Sequence, residues 1–153
     1  MSRIVNMSMN NLLEIMSRLR DPKNGCPWDI EQTFETIAPF TIEEAYEVHE
    51  AISNNNYDNL KDELGDLLLQ IVFHSKIAEE LKLFCFDEVV ESICEKMVER
   101  HPHVFGHEKI ETADEQLASW EDIKAKEREI KSENQSESLS ALSGVSVAYP
   151  ALL

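Results

Sequence analysis

Apolar residues recur three and four positions apart along most of the chain, and this period constrains the fold more than any other feature. Such spacing places apolar side chains on one face of an α-helix. It predicts a first helix at about 9–20, a long helix at about 60–83, and another that starts at Asp87. A further helical region is interrupted by Pro39 and ends near residue 52, and a charged last helix covers about 114–131.

No segment alternates apolar and polar residues as a half-buried strand would. The chain has 153 residues, enough for one domain with a real core. We therefore predict an all-α protein, a bundle of four to five helices at 1–131. The serine-rich segment 132–153 is predicted to be a flexible tail or linker, with the start of a truncated second domain as the alternative.

Charge and composition exclude several classes of function. The net charge is −16, which repels phosphate backbones, so we expect no nucleic-acid partner. The sequence has no apolar run of the roughly 20 residues that a membrane span requires, so we expect no membrane partner. Its three cysteines are an odd number without close pairing and are predicted to be reduced thiols. These features favour a cytoplasmic protein.

Acidic residues are concentrated in two neighbouring helical segments. Glu43, Glu44 and Glu47 lie three or four positions apart, and so share one face of a helix. In the next helix Glu63 and Asp66 are three apart, within a leucine-rich stretch. Helices joined by a short turn pack antiparallel, so the two acidic groups are expected to face each other. The sequence therefore predicts a carboxylate cluster between these two helices.

A divalent cation would relieve the repulsion within such a cluster. Two unit charges about 4 Å apart cost about 4 kcal/mol at an effective dielectric constant of 20. Carboxylate oxygens without histidine or thiolate suit a hard ion, Mg²⁺ or alternatively Mn²⁺. No glutamate precedes a histidine by three residues, so the ligand set of di-iron bundles is absent from the sequence. The glycine-rich phosphate loop with its Lys-Ser/Thr ending is absent as well.

Simpler interpretations of the acidic residues remain open. Each acidic pair taken alone is typical of a solvated helix face, and Glu50 and Asp62 are expected to be solvated. Glu44 also stands three positions after Thr41, in the register of a helix-capping box. Gly65, between the two acids of the second helix, is expected to let the facing helix approach closely.

The motif "EEAYE" at 43–47, followed after fifteen residues by "ELGD" at 63–66, resembles the signature of the MazG family of nucleoside triphosphate pyrophosphohydrolases. The stretches "LRDPKNGCPWDIEQTFETIAPFTIEEAYEV" and "ERHPHVFG" are also similar to that family. The resemblance covers about 10–131. It implies an all-α fold, usually dimeric, that uses Mg²⁺ to hydrolyse (deoxy)nucleoside triphosphates to nucleoside monophosphate and pyrophosphate.

The resemblance also implies roles for individual acids. Glu44, Glu47, Glu63 and Asp66 match the family's metal ligands, with Glu43 alongside them in the catalytic group. Metal ions held there would polarise a phosphoryl oxygen and activate a water for in-line attack. A carboxylate that is not fully used in coordination would accept the proton of that water.

Cationic and aromatic residues are the candidates for substrate binding. Lys96 and Arg100 are four apart, as are Trp120 and Lys124, and the resemblance implies contacts with the triphosphate and the base. Trp28, in "CPWD", is a candidate for the pocket wall. The alternatives are a solvated pair of cations and packed tryptophans. The three histidines of "HPHVFGH" have no fourth ligand nearby, so a zinc site is disfavoured.

The sequence thus predicts a Mg²⁺-dependent nucleoside triphosphate pyrophosphohydrolase that forms a homodimer. The first alternative is a catalytically weak, regulatory or dimerising copy of the same domain from a two-domain protein. The second is a non-enzymatic acidic helical module that dimerises, and the presence of every motif acid argues against it.

Overall fold

The computed structural model describes residues 8–107 and 109–135. Within these ranges the chain forms seven helices, five of them long, and no strand, which confirms the all-α prediction. They are α1 (Met9–Leu19), α2 (Pro27–Glu31), α3 (Phe34–Ser53), α4 (Tyr57–Glu80), α5 (Phe86–Glu99), α6 (Pro102–Phe105) and α7 (Ala113–Gln135). The stretches 21–29 and 100–113 predict loops by their composition, but α2 begins within the first of them and α6 lies within the second. None of the helices in the described ranges is long and apolar enough to cross a membrane.

The described part of the chain divides into two compact units, with the division between Ile93 and Cys94, and α5 begins in the first and ends in the second. Helix α7 ends at Gln135, four residues beyond the predicted end of the last helix at 131. The predicted serine-rich tail therefore overlaps this helix at 132–135, and its remainder, 136–153, lies outside the described residues.

The core of the first unit lies where α1 and α3 pack on α4. Its members are almost fully buried apolar side chains: Met16, Ile37, Val72, Phe73 and Ile77. Partly buried apolar residues surround them: Leu12, Leu13, Phe34, Leu69 and Phe86. Burial of this apolar surface is the main favourable term in holding the helices together.

Only one face of α4 is buried in this core. Val72, Phe73 and Ile77 are at most 4% exposed, whereas Leu64 is 50% exposed and Ile71 41% exposed. The periodicity of the leucines alone predicts that Leu64 faces the core, and this expectation is wrong for the single chain. Since α4 carries apolar residues on two sides, periodicity identifies the helix but not the side that is buried.

The start of α3 corrects the expected break at Pro39 and the expected capping box. The helix begins at Phe34 because Thr33 provides the N-cap, and it continues through Pro39. The Thr33 hydroxyl accepts from the Thr36 backbone N–H (3.4 Å), and the Thr36 hydroxyl lies 2.8 Å from the Thr33 nitrogen. Pro39 is exposed, where water can replace the lost backbone hydrogen bond. Thr41 is therefore inside the helix and does not form a capping box with Glu44.

Three asparagines make the turn that pairs α3 with α4. Asn54 ends α3, Asn55 adopts a left-handed φ of 53°, and Asn56 caps α4 by accepting from the Asn59 backbone N–H at 3.2 Å. Asparagine tolerates the left-handed region better than most residues with a side chain. Because the turn is this short and the two helices pack along their lengths, α3 and α4 run antiparallel.

Arg20 holds the segment between α1 and α3 against α4. Its side chain is buried, and its guanidinium forms a bidentate ion pair with Glu80 at 2.7 and 3.0 Å. The same group donates to the backbone carbonyls of Asp29 and Gln32 and lies 5.4 Å from the ring centroid of Phe73. This network positions α2, and with it Trp28.

Candidate active site

The predicted acidic residues do meet at the α3–α4 interface. Glu44 on α3 and Glu63 and Asp66 on α4 each place one carboxylate oxygen within 4.8 Å of the other two. Glu44 and Glu63 are half-buried, while Asp66 is exposed. The antiparallel pairing of α3 and α4 brings the two motifs into register, since both lie within a few turns of the asparagine turn. We call these three residues the carboxylate cluster.

Glu47 and Glu43 lie at the edge of the carboxylate cluster. Glu47 is exposed and shares hydrogen bonds with Glu63 and with Glu44, which join it to the cluster. Glu43 is exposed and adds negative charge near Glu44 and Glu47 without joining the group of close oxygens. Of the four residues predicted as metal ligands, three are therefore within mutual reach of one ion, and the fourth contacts two of them.

Asn59 is a neighbour of the cluster that the sequence motifs do not indicate. Its side-chain amide donates to Glu63 Oε1 at 3.0 Å. The two residues are four apart on α4, and this spacing is the signal that could have identified the contact. The hydrogen bond holds one oxygen of Glu63 in place and offsets part of its charge.

The electrostatics of the site are those of crowded carboxylates. Burial, and then repulsion from Asp66, Glu63 and Glu43, raises the pKa of Glu44 above its ordinary value of 4.5. The hydrogen bond with Glu63, and then the charge of Glu63, raises the pKa of Glu47 above 4.5. A positive charge placed among these groups would lower both pKa values again, because it favours their ionised forms.

The donor set of the carboxylate cluster fits a hard divalent cation. It consists of carboxylate oxygens from two helices, with no sulfur or imidazole donor among the described residues that join it. Mg²⁺ prefers such oxygen donors and usually retains several of its waters in protein sites. Three carboxylates whose oxygens lie this close thus match a partly hydrated ion of that kind.

Trp28 lies within a few helical turns of the carboxylate cluster. Its ring makes edge contacts with Phe40, at 6.2 Å between centroids, and with Phe73, at 6.4 Å. Phe40 precedes Glu44 by one helical turn on α3, and Phe73 follows Asp66 by two turns on α4. Trp28 is 52% exposed, so one part of the indole packs on the core and the other faces solvent.

The predicted cationic residues belong to the second unit. Arg100 forms a bidentate pair with Glu127, through Nε at 3.0 Å and Nη2 at 2.6 Å, and its backbone carbonyl accepts from Gln116. Lys96 is half-buried in the last turn of α5. The expectation of a simple solvated cation pair is therefore wrong for Arg100, which is held by a carboxylate.

Trp120 and Lys124 contact each other on one face of α7. The ammonium nitrogen of Lys124 lies 4.8 Å from the Trp120 ring centroid, at a cation–π distance, and 2.8 Å from Glu121. Trp120 Nε1 is buried and has no hydrogen-bond partner among the described residues. The structure thus presents an indole with an unused donor beside a cation.

The histidines of "HPHVFGH" do not form a metal cluster within the described residues. The ring centroids of His101 and His103 lie 5.8 Å apart, and His101 Nδ1 is 2.6 Å from the backbone carbonyl of Met97.

Gly65 does not have the predicted role, close approach of the facing helix, within this chain. A Cβ atom added there would meet nothing within 4 Å, so the glycine is not needed for the approach of α3.

Comparison with known proteins connects this site to one family. The sequence pattern of the MazG nucleotide pyrophosphohydrolase domain matches residues 32–105, which include both acidic motifs. Over 145 residues the chain is 49% identical to a nucleoside triphosphate pyrophosphohydrolase of Escherichia coli (strain K12), covering 95% of this chain and 53% of that protein.

Two proteins of Thermotoga maritima are also similar. The nucleoside triphosphate pyrophosphohydrolase/pyrophosphatase MazG is 48% identical over 117 residues, covering 76% of this chain and 44% of that protein. The crystal structure of a mazG-related protein superposes with a TM-score of 0.62 at 31% identity, covering 76% of this chain and 98% of that one. The chain spans about half the length of the curated relatives it matches.

Proposed function

The chain belongs to the MazG nucleotide pyrophosphohydrolase family, and from this premise we propose that it hydrolyses nucleoside and deoxynucleoside triphosphates to the monophosphate and pyrophosphate. The names of the relatives from Escherichia coli and Thermotoga maritima support the reaction. The observation that carries the proposal is the carboxylate cluster, whose oxygens lie within 4.8 Å of one another across two helices. Such a site is suited to a cation, and a triphosphate requires one.

Glu44, Glu63 and Asp66 would hold the metal, which we propose to be Mg²⁺, with Mn²⁺ as the alternative. Once bound, the cation neutralises phosphate charge and polarises a phosphoryl oxygen. Asn59 keeps Glu63 oriented through its hydrogen bond. Glu43, which is exposed beside Glu44, extends the negative surface that attracts the cation.

Glu47 is the residue that we assign to proton transfer. It lies outside the group of three close oxygens but contacts both Glu63 and Glu44, so it can reach a water at the site without being used as a ligand. In the proposed step a water oxygen attacks one phosphorus of the α–β anhydride. A water proton passes to Glu47, the bond between that phosphorus and the bridging anhydride oxygen breaks, and nucleoside monophosphate and pyrophosphate are released.

Cationic and aromatic side chains are the residues that we propose for substrate binding. We assign the triphosphate to Lys96, Arg100 and Lys124, since ammonium and guanidinium groups are the usual phosphate partners. Arg100 uses Nε and one N–H of Nη2 for Glu127, so a phosphate oxygen would be reached by Nη1 or by the second N–H of Nη2. Trp28 and Trp120 offer aromatic surface for the base, and the unpartnered Nε1 of Trp120 offers a hydrogen-bond donor.

A cytoplasmic homodimer is the form in which we propose that the protein acts. The free cysteines Cys26, Cys85 and Cys94 agree with a reducing compartment. The family resemblance supports a dimer, and large apolar side chains on the outer sides of α3 and α4 offer surface for it. They are between 41% and 52% exposed in the single chain: Ile42, Tyr46, Leu64 and Ile71.

The test is pyrophosphate release from each of the eight common NTPs and dNTPs, with and without Mg²⁺. The proposal requires equal amounts of monophosphate and pyrophosphate, formed only when the divalent cation is present. Nucleoside diphosphate and inorganic phosphate as products would contradict the assigned reaction. Mg²⁺ binding without turnover on any of the eight substrates would favour the alternative, a catalytically weak regulatory or dimerising copy.

A further inference from the structure

Gln70 is a buried polar residue of α4 with an unused hydrogen-bond acceptor. The residue is 7% exposed, and its Oε1 is fully buried without a partner among the described residues. A buried acceptor without a donor destabilises the folded state, so such groups are rare in native proteins. Ser75, which is also buried on the same helix, shows the usual arrangement, because its hydroxyl donates to the Ile71 carbonyl at 2.8 Å.

Gln70 lies on the same face of α4 as the carboxylate cluster. It follows Glu63 by seven residues and Asp66 by four, spacings that bring all three side chains to one side of a helix. Side chains on a helix lean towards its N-terminus, and a long side chain covers the turn before its own Cα. The amide of Gln70 is therefore carried towards Asp66.

One helical turn further along the α3–α4 interface, another pair of polar side chains already contact each other. Thr41 Oγ1 on α3 lies 3.0 Å from His74 Nε2 on α4, and the His74 ring stacks on Phe34 at 5.9 Å. Gln70 stands between His74 and Asp66 along α4. Gln70 therefore lies on this face between the Thr41–His74 pair and the carboxylate cluster, and the cluster is the next group along the face that could hold a donor.

The carboxylates themselves are poor candidates for that donor. Ionised carboxylates only accept hydrogen bonds, and a metal ion in the cluster would keep them ionised. A water bound to a divalent cation is a strong donor, and Mg²⁺ retains several waters in protein sites. A neutral amide can accept from such a water without adding negative charge to a crowded site.

We propose that Gln70 is a positioning residue of the metal site, whose Oε1 accepts a hydrogen bond from a water held by the divalent cation. This inference rests on the proposed function of the carboxylate cluster as a cation site. It assigns to Gln70 the role that outer-shell residues have elsewhere, which is to orient the groups around a metal.

The test compares Mg²⁺ binding and thermal stability of the full chain for the wild type, Gln70→Leu and Gln70→Glu. Leucine has a similar volume and removes the unpartnered acceptor, so Gln70→Leu is expected to melt at or above the wild-type temperature without metal. In calorimetry its dissociation constant for Mg²⁺ should rise about tenfold. Gln70→Glu restores an acceptor and should recover most of that loss in affinity.

Ser75→Ala is the matched control, since Ser75 is also buried on α4 but is already partnered. It should bind Mg²⁺ as the wild type does. Wild-type affinity in Gln70→Leu would overturn the inference about Gln70 and leave the cation site intact. Absence of Mg²⁺ binding by the wild type would overturn both. A lower metal-free melting temperature of Gln70→Leu together with unchanged affinity would show a structural role instead.

Discussion

At the scale of single residues, like charge is concentrated where two helices pack, and this arrangement opposes folding. Glu44 is half-buried beside Glu63 and Asp66, and burial and repulsion both raise its pKa. Native proteins retain such arrangements mainly at functional sites. A bound cation would convert the repulsion into attraction, so the same residues would stabilise the loaded protein.

Glu63→Gln and Asp66→Asn test the cluster directly, because each keeps the size of the side chain and removes its charge. We expect each to lower kcat/KM for triphosphate hydrolysis by at least about a hundredfold, or about 2.7 kcal/mol. The fold should survive, since the change relieves repulsion. Glu50→Gln, an exposed glutamate on the same helix as Glu44, is the control and should keep its activity. Equal activity in all three variants would refute the assignment.

The raised pKa of Glu44 predicts how metal-free stability depends on pH. Because the folded state binds the proton more tightly than the unfolded state, the unfolding free energy falls as the pH rises from about 4.5 through the raised pKa. Glu44→Gln removes this loss, so the unfolding free energy of the variant should rise relative to that of the wild type between pH 4 and pH 7.

Local hydrogen bonds lower the pKa values of Asp21 and Glu35, so these groups make the folded state more stable as the pH rises. Both are present in the wild type and in Glu44→Gln, so their effect cancels in the comparison. The measurement is the denaturant midpoint of each protein in the presence of EDTA. A stability difference that stays constant over this pH range would contradict the assigned cause.

At the scale of the elements, two glycines illustrate how much depends on the surroundings of a position. Gly25 closes the turn after α1, where a Cβ atom would come within 2.3 Å of the Leu19 carbonyl oxygen and 2.6 Å of that of Asp21. Gly65 lies in an exposed helical position with nothing nearby. Replacement of glycine by alanine should therefore change the free energy of unfolding in opposite directions at the two positions.

Gly25→Ala is expected to lower the free energy of unfolding by about 1 to 3 kcal/mol, because backbone atoms must move to admit the methyl group. Gly65→Ala should raise it by up to about 1 kcal/mol, the difference in helix propensity. Urea denaturation with unchanged m-values would measure both. Destabilisation by Gly65→Ala would show that another surface, such as a partner subunit, packs against this position.

At the scale of the whole molecule, net charge and exposed apolar surface have opposite effects on the association of two copies. A net charge of −16 keeps copies apart, whereas the apolar residues on the outer side of α4 favour association. Leu64 and Ile71 are seven residues apart and so lie along one stripe of that helix. If two copies associate, this stripe is the part of α4 available to the partner.

We expect sedimentation equilibrium to give a dimer for the wild type and a shift towards monomer for the double variant Leu64→Glu/Ile71→Glu. Buried charge without a partner is costly at an interface, so the dissociation constant should rise at least about a hundredfold. Lys61→Glu changes the net charge by the same two units on the exposed part of the same helix and should leave the dimer intact. Dissociation of both the double variant and Lys61→Glu would indicate that added net charge, and not loss of the apolar stripe, separates the copies.

Much of the secondary structure and the membership of the acidic site follow from local sequence. The sequence predicts helix α1 at about 9–20, and the structure has it at Met9–Leu19, because the apolar period and the capping residues act over a few positions. The spacing of Glu43 to Glu47 and of Glu63 to Asp66 placed each acidic group on one helix face, and a short turn sufficed to bring the two together. Intervals of three and four residues are geometrical properties of the helix itself.

Only the tertiary structure decided which face of each helix is buried and what each polar group contacts. Leu64 and Val72 both belong to the apolar period of α4, yet only Val72 enters the core. Thr41, in register for a cap, lies inside α3 and contacts His74, thirty-three residues away. Arg20 pairs with Glu80 across sixty residues. Such contacts depend on the positions of other helices, and these are set by the packing of the whole core, which no local spacing encodes.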